Sequence, residues 1–147
     1  HIFYAPGPME QRIREFCRAS GQTVPDGQGA IVRCVYESLA LKYRWAIEQL
    51  EGVTGSRVDE LVIVGGGARN LLLNQLTANA LKRPVVAGPS EATAIGNLLV
   101  QLHALGDAKG LVEMREIVRA SFPVTRFEPK EGAAWDGAYE RFLRLIK

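Results

Sequence analysis

Apolar residues recur along this chain at helical and at strand spacings, and the alternation between the two lays out its elements. Ile31, Val35, Leu39, Tyr43, Ala46 and Leu50 fall on one helical stripe, which Cys34, Leu41, Trp45 and Ile47 widen. The spacing predicts a long helix over residues 28–51, its broad apolar surface covered by a sheet on one side and another helix on the other, with Tyr43 and Trp45 in the core. Gly52 and Gly55 are expected to break it. Ahead of it, Met9, Ile13, Phe16 and Cys17 predict a first helix with Pro8 in its opening turn and Gly21 at its end, and Asp26 is placed to cap the long helix.

Leu61 to Val64 is a short, β-branched run that reads as a buried strand. Leu71, Leu72, Leu73, Leu76 and Ala80 then predict a helix over residues 70–81. Residues 83–88 form a second strand signal, which Pro84 must begin or place at an edge. Ser90 is the expected cap of the next helix, with Glu91 in its first turn and Leu98, Leu99, Leu102 and Leu105 carrying its apolar face to Gly106. Gly96 inside that helix costs about 1 kcal/mol relative to alanine, so it is expected to permit close packing or a close ligand approach. A shorter helix near residues 111–120 turns Leu111, Met114, Ile117 and Val118 inward, and Phe122-Pro123 stops it. Val124 to Phe127 is extended, Glu128 to Gly132 (Glu131 included) is a polar turn, and a last helix docks Trp135, Tyr139, Phe142, Leu143 and Ile146 on the body.

Strand–helix–strand–helix order predicts an α/β fold with two parallel strands joined by a right-handed crossover. Two strands are few for an independent sheet, so either less regular segments supply more or residues outside this chain complete it. The length of 147 residues is that of one domain, and 47% hydrophobic with 23% charged residues is a globular composition. A net charge of +2, dispersed along the chain, points to neither a nucleic-acid nor a membrane partner. No apolar run approaches the ~20 residues that cross a bilayer. The chain opens at His1-Ile2-Phe3 without an initiating methionine, which reads as a fragment or a processed chain. Cys17 and Cys34 are expected to be reduced thiols of a cytoplasmic protein. A bridge between them would close a loop of roughly 17 residues, worth about 3 kcal/mol.

The candidate chemistry lies between the two strand signals. Gly65-Gly66-Gly67 ends the first strand, Ala68-Arg69-Asn70 follows, and a helix opens. Such a corner exposes main-chain N–H groups and a positive helix end around one small space, and glycine lets a ligand reach the backbone. The pattern is neither G-x-G-x-x-G, since Asn70 stands at the last glycine, nor a phosphate loop, since no Gly-Lys-Ser/Thr occurs. A nucleotide here would be met at its base or ribose. Glycines that simply let strand and helix pack tightly are the alternative, and both readings stand at this point.

Residues 64–75 and 87–97, in that order behind the helix Arg33-Cys34-Val35-Tyr36-Glu37-Ser38-Leu39-Ala40 and ahead of Ser121-Phe122-Pro123, resemble the FGGY family of carbohydrate kinases, most of all its rhamnulokinase branch. The resemblance covers nearly the whole chain. It implies an actin-like (ribonuclease H-like) ATPase lobe: residues 1–147 as part of the C-terminal, nucleotide-binding lobe, helix-rich, with a short parallel sheet lacking its first strands. It implies ATP or ADP bound at Gly65, Gly66 and Gly67, with Asn70 beside the adenine or ribose, and Mg2+ arriving with the nucleotide. The reaction implied is transfer of the terminal phosphate of ATP to a sugar hydroxyl, L-rhamnulose to L-rhamnulose 1-phosphate, with xylulose or glycerol as other substrates of the family. The family's catalytic aspartate and first phosphate loop belong to the other lobe, so the implied partners are a small sugar and an absent N-terminal lobe. No catalytic residue and no metal ligand is assigned here: Asp26, Asp59, Glu60 and Asp107 read as end-capping or solvated, and His1 and His103 as terminal and helix-face residues. A second reading is a non-catalytic module, inactive alone, that binds a partner or forms a homo-oligomer through an exposed sheet edge.

Overall fold

The computed structural model describes residues 2–130 and 132–146; His1, Glu131 and Lys147 lie outside the described residues. The helices are α1 (Met9–Ala19), α2 (Gly27–Thr54), α3 (Leu71–Leu81), α4 (Ala92–Leu105), α5 (Leu111–Ser121) and α6 (Gly132–Leu145). The strands are β1 (Leu61–Ile63), β2 (Val85–Ala87) and β3 (Thr125–Phe127). A 3-10 turn, Gly65–Arg69, links β1 to α3.

α3 is the centre of the packing: every residue from Leu76 to Leu81 is buried, Thr77 and Asn79 included. Leu76 and Ala80 meet Ala40 and Leu41 of α2 and Trp135 and Tyr139 of α6, with Tyr36, Trp45, Phe142 and Leu143 around them. Ala78 and Leu81 face the sheet instead, against Val85, Leu61, Ile63 and Phe127, and Ile47 of α2 joins them. The predicted stripe on α2 is covered only in part: Ile31 is buried, whereas Val35, Leu39, Ala46 and Leu50 are exposed, and contact with the body runs through Ala40, Leu41, Trp45 and Ile47 on the neighbouring side. Tyr43 does not enter the core as expected; it lies exposed at the rim, while Trp45 is half-buried under the Lys42 ammonium at 3.5 Å.

β1 and β2 are parallel, Leu61 beside Val85 and Ile63 beside Ala87. The extended stretch at Val124–Phe127 supplies β3, which joins β2 antiparallel, Val85 opposite Phe127. The sheet is therefore mixed, in the order β1-β2-β3, and parallel only across the crossover. Pro84 stands just before the central strand, and its carbonyl accepts the Leu61 N–H at 3.0 Å. β1 is covered on one face alone: Val62 is 56% exposed and Val64 50%. A strand buried on both faces was expected there, but nothing among the described residues covers the outer side.

Chain ends of helices follow local chemistry with instructive departures. Gly55, at φ 67°, terminates α2, whereas Gly52 is carried inside the helix. Asp26 occupies the N-cap position without a side-chain capping bond, and Pro8 likewise precedes α1 rather than lying in its first turn. α3 ends on Lys82 in the left-handed region, φ 57°, the one non-glycine residue so placed among the described residues. Its ammonium reaches Asp136 at 2.9 Å, and Asp136 also accepts from Arg44 at 3.0 Å. Glu51, Arg83 and Val58 form a second tie: Arg83 grips both Glu51 oxygens at 2.5 and 3.2 Å and the Val58 carbonyl at 2.7 Å. Cys17 is buried and Cys34 half-buried, both free thiols; burial first, then the neighbouring Cys17, pushes the Cys34 thiol up.

α4 and α5 are held far more lightly. Leu98, Val100, Leu105, Leu111 and Val112 are exposed, so Leu111 does not point inward as the spacing suggests, though Met114, Ile117 and Val118 are half-buried. Total accessible surface is 9753 Å². A compact monomer of 16.1 kDa has about 7,400 Å² by size scaling.

Candidate functional site

The glycine corner is built where two chain links run side by side. Leaving β1, Val64 is extended; Gly65 then takes φ +77°, a conformation that favours glycine, and donates its N–H to the Pro89 carbonyl at 3.0 Å. From the other link, Gly88 donates to the Ile63 carbonyl at 2.8 Å. The glycine that tight packing requires is Gly88: a Cβ there would stand 3.2 Å from Val64 Cγ1. The triple glycine is different. A Cβ on Gly65 or Gly66 would meet nothing within 4 Å, and one on Gly67 only Ile63 Cγ2 at an ordinary 3.5 Å. Gly66 and Gly67 are exposed. The corner is bare main chain, so tight packing does not account for its glycines.

Asn70 stands at the end of the turn as the N-cap of α3, its Oδ1 accepting from the Leu73 N–H at 3.0 Å. Its own N–H closes the turn on the Gly67 carbonyl at 3.1 Å. The amide nitrogen is the polar end that capping leaves over. One helical turn later Asn74 is fully buried, and its Nδ2 donates back to the Ala68 carbonyl at 3.0 Å. Asn74 Oδ1 is buried without a hydrogen-bond partner among the described residues, an arrangement that costs about 1–3 kcal/mol. Sequence spacing had a signal for it: a polar residue four positions after the cap, directly behind three leucines.

Arg69 crosses to the second link, donating to Ser90 Oγ at 3.0 Å and lying 3.5 Å from Glu91 Oε1. Ser90 therefore does not cap α4 as expected. Glu91 occupies the N-cap position, outside the helix and exposed, with no side-chain capping bond. Beneath the Arg69 bridge lies an open cleft of about 260 Å³, lined by Ala68, Arg69, Gly88, Ser90, Phe122 and Pro123 among others. The triple glycine borders that space through Ala68 without lining it. A larger hollow of about 480 Å³ sits between the N-terminal segment and α1, at Ile2, Arg12 and Phe16, and shares no residue with the corner. Gly96 has open space where a Cβ would stand, so close packing is not its role.

Displaced protonation equilibria lie away from the corner. Hydrogen bonds from Arg83 and the Val58 N–H hold Glu51 below the ordinary carboxylate range. Lys82 and then Arg44 do the same for Asp136, while burial and Glu48 push the Tyr139 phenol up. Asp59 pairs with Arg57 at 3.3 Å, Glu60 pairs with Arg126, and Asp26 lies 4.0 Å from Arg14. His103 Nδ1 sits 2.6 Å from the Ala108 carbonyl at the end of α4. Among the described residues no group of three or more His, Cys, Asp or Glu side chains is arranged to hold a metal ion, and no helix is long and apolar enough to cross a membrane.

Against known proteins, residues 1–105 match the model of the FGGY family of carbohydrate kinases, C-terminal domain. The rhamnulokinase of Bacteroides thetaiotaomicron is 49% identical over 145 residues, covering 99% of this chain and 30% of that protein. The rhamnulokinase of Bacillus subtilis is 44% identical over 129 residues, 88% of this chain and 27% of that one. This chain thus spans less than a third of the curated relatives it matches. Among solved structures, a xylulose kinase from Rhodospirillum rubrum superposes with a TM-score of 0.68 at 22% identity, over 86% of this chain and 26% of that one, which shows a shared fold. A family model that accounts for the long helix, the glycine corner and the β2–α4 link together leaves one conclusion: this chain belongs to the FGGY family of carbohydrate kinases.

Proposed function

We propose that residues 1–147 are the nucleotide-binding, C-terminal lobe of an ATP-dependent sugar kinase whose substrate is L-rhamnulose, converted to L-rhamnulose 1-phosphate with release of ADP. One observation carries the reading: at Gly65 and Gly66 the main chain is open on the side where a Cβ would stand, and at Gly67 only Ile63 Cγ2 lies there, at 3.5 Å, which leaves the backbone within reach of a nucleoside. Asn70, fixed by capping α3, presents its amide nitrogen at the edge of that surface. The names of the relatives support the sugar: both quoted above are rhamnulokinases.

Phosphoryl transfer rests on positioning and on charge neutralisation, with a base to take the proton of the attacking hydroxyl. The acidic groups Asp59, Glu60, Glu51 and Asp136 are engaged by arginine or lysine. On this reading the base, the phosphate clamps and the residues that hold Mg2+ with the nucleotide come from the rest of the kinase. What this chain does is bind and orient the nucleoside.

The test is a titration of the isotope-labelled chain with ADP. Amide signals of Gly66 and Asn70 should move and saturate at millimolar ADP or below; signals that stay still would sink the nucleotide reading. Joined to the lobe it lacks, the protein should release ADP in the presence of L-rhamnulose. Turnover of xylulose alone would keep the kinase and replace the sugar.

A further inference from the structure

We infer that Asn74 is a positioning residue for the nucleotide, acting through Ala68; the inference rests on the nucleotide reading above. The turn Gly65–Arg69 is held at its start by Gly65 N–H on the Pro89 carbonyl and at its end by Asn70 N–H on the Gly67 carbonyl. Between those points Gly66 and Gly67 have no side chains with which to pack, and a 3-10 segment has poorer hydrogen-bond geometry than an α-helix. The middle of the turn is reached from outside by Asn74, whose Nδ2 donates to the Ala68 carbonyl.

The unpartnered Oδ1 shows what this side chain is for. Filling space at a fully buried position is better done by an aliphatic residue of similar volume, since a buried lone acceptor opposes folding. The amide contributes direction instead. It sets where the Ala68 carbonyl points, and through it the peptide planes of Gly66 and Gly67 that face the ligand. Binding surfaces tolerate little looseness, and a bare backbone depends on such a supporting side chain to hold its place.

Three versions of the chain test this: wild type, Asn74→Leu and Asn74→Ala. Leucine removes the donor and the orphan acceptor together at similar volume, and alanine removes both without added bulk. Amide hydrogen exchange at Gly65 and Asn70 should quicken about tenfold in both variants, and the Kd for ADP should rise about tenfold, the scale of one hydrogen bond. Exchange at Ala80, in the core, should stay as in wild type. Unchanged exchange at Gly65 and Asn70 would overturn the tie. Faster exchange with unchanged ADP affinity would overturn the positioning role. Failure of the wild-type chain to respond to ADP would overturn the nucleotide reading and this role with it, while the exchange rates still report whether the tie exists. If Asn74→Leu does not fold, the same readouts on Asn74→Ala decide the matter.

Discussion

At its C-terminal end α3 is enclosed: Ala78, Ala80 and Leu81 are buried, and Lys82, Asp136 and Arg44 close over the last turn. At its N-terminal end Leu71 is 61% exposed, and the chain before it is glycine without side-chain cover. One helix of eleven residues thus joins an enclosed part of the molecule to an open one. Most of the stability lies toward one end of it and the ligand contact toward the other, with Asn70 serving both as a cap, so a substitution in the enclosed end should leave ADP binding nearly alone.

The largest effect is expected where the enclosure is deepest. Trp135→Ala removes the α6 side chain that packs on Leu76 and Ala80, and should cost about 3–5 kcal/mol in urea unfolding. A cost below that of a surface change would mean α6 is not part of the core. Asn70→Ala, at the other end, should cost about 1 kcal/mol through the lost cap and weaken ADP binding as well. If ADP affinity is unchanged, Asn70 is a cap only.

The Glu51 tie gives a pH dependence. Glu51 is held below its ordinary value of 4.5, so its contribution is complete above the unfolded value and is lost as pH falls through the folded one. Melting temperature should therefore drop on acidification, and Glu51→Gln should flatten that part of the profile. An identical acid limb in the variant would remove Glu51 from the account. The smallest effect on stability is expected at the bare corner: Gly66→Ala meets nothing and should stay within about 0.5 kcal/mol of wild type, yet weaken ADP binding clearly. Equal ADP binding by Gly66→Ala would break the separation proposed for the two ends.

Local patterns were legible where the physics is local. The stripe on α2, the leucines of α3 and the β-branched run of β1 foretold those elements to within a few residues, because spacing reports the local conformation, although Val35, Leu39, Leu50, Leu71 and Leu72 are exposed. The antiparallel pairing of β3 with β2 was not legible, since it joins Val85 to Phe127 across two helices. Ser90 was misread for a similar reason: capping is the usual fate of a serine there, but Arg69, far off in sequence, takes its oxygen. The openness of Gly65 and Gly66 could be expected but not distinguished from tight packing until Gly88 was seen to carry the close contact. Val62 and Val64 misled because β-branched residues mark a strand without saying how many of its faces are covered.

The left-handed lysine at the end of α3 has a mechanical consequence. A side chain in that region raises the local backbone energy by about 1–2 kcal/mol, and the salt link to Asp136 together with the buried last turn keeps it there. The abrupt reversal lets Val85 begin directly under Ala78 and Leu81, with no slack between helix and strand. Lys82→Gly would remove that backbone cost and the link to Asp136 in the same stroke.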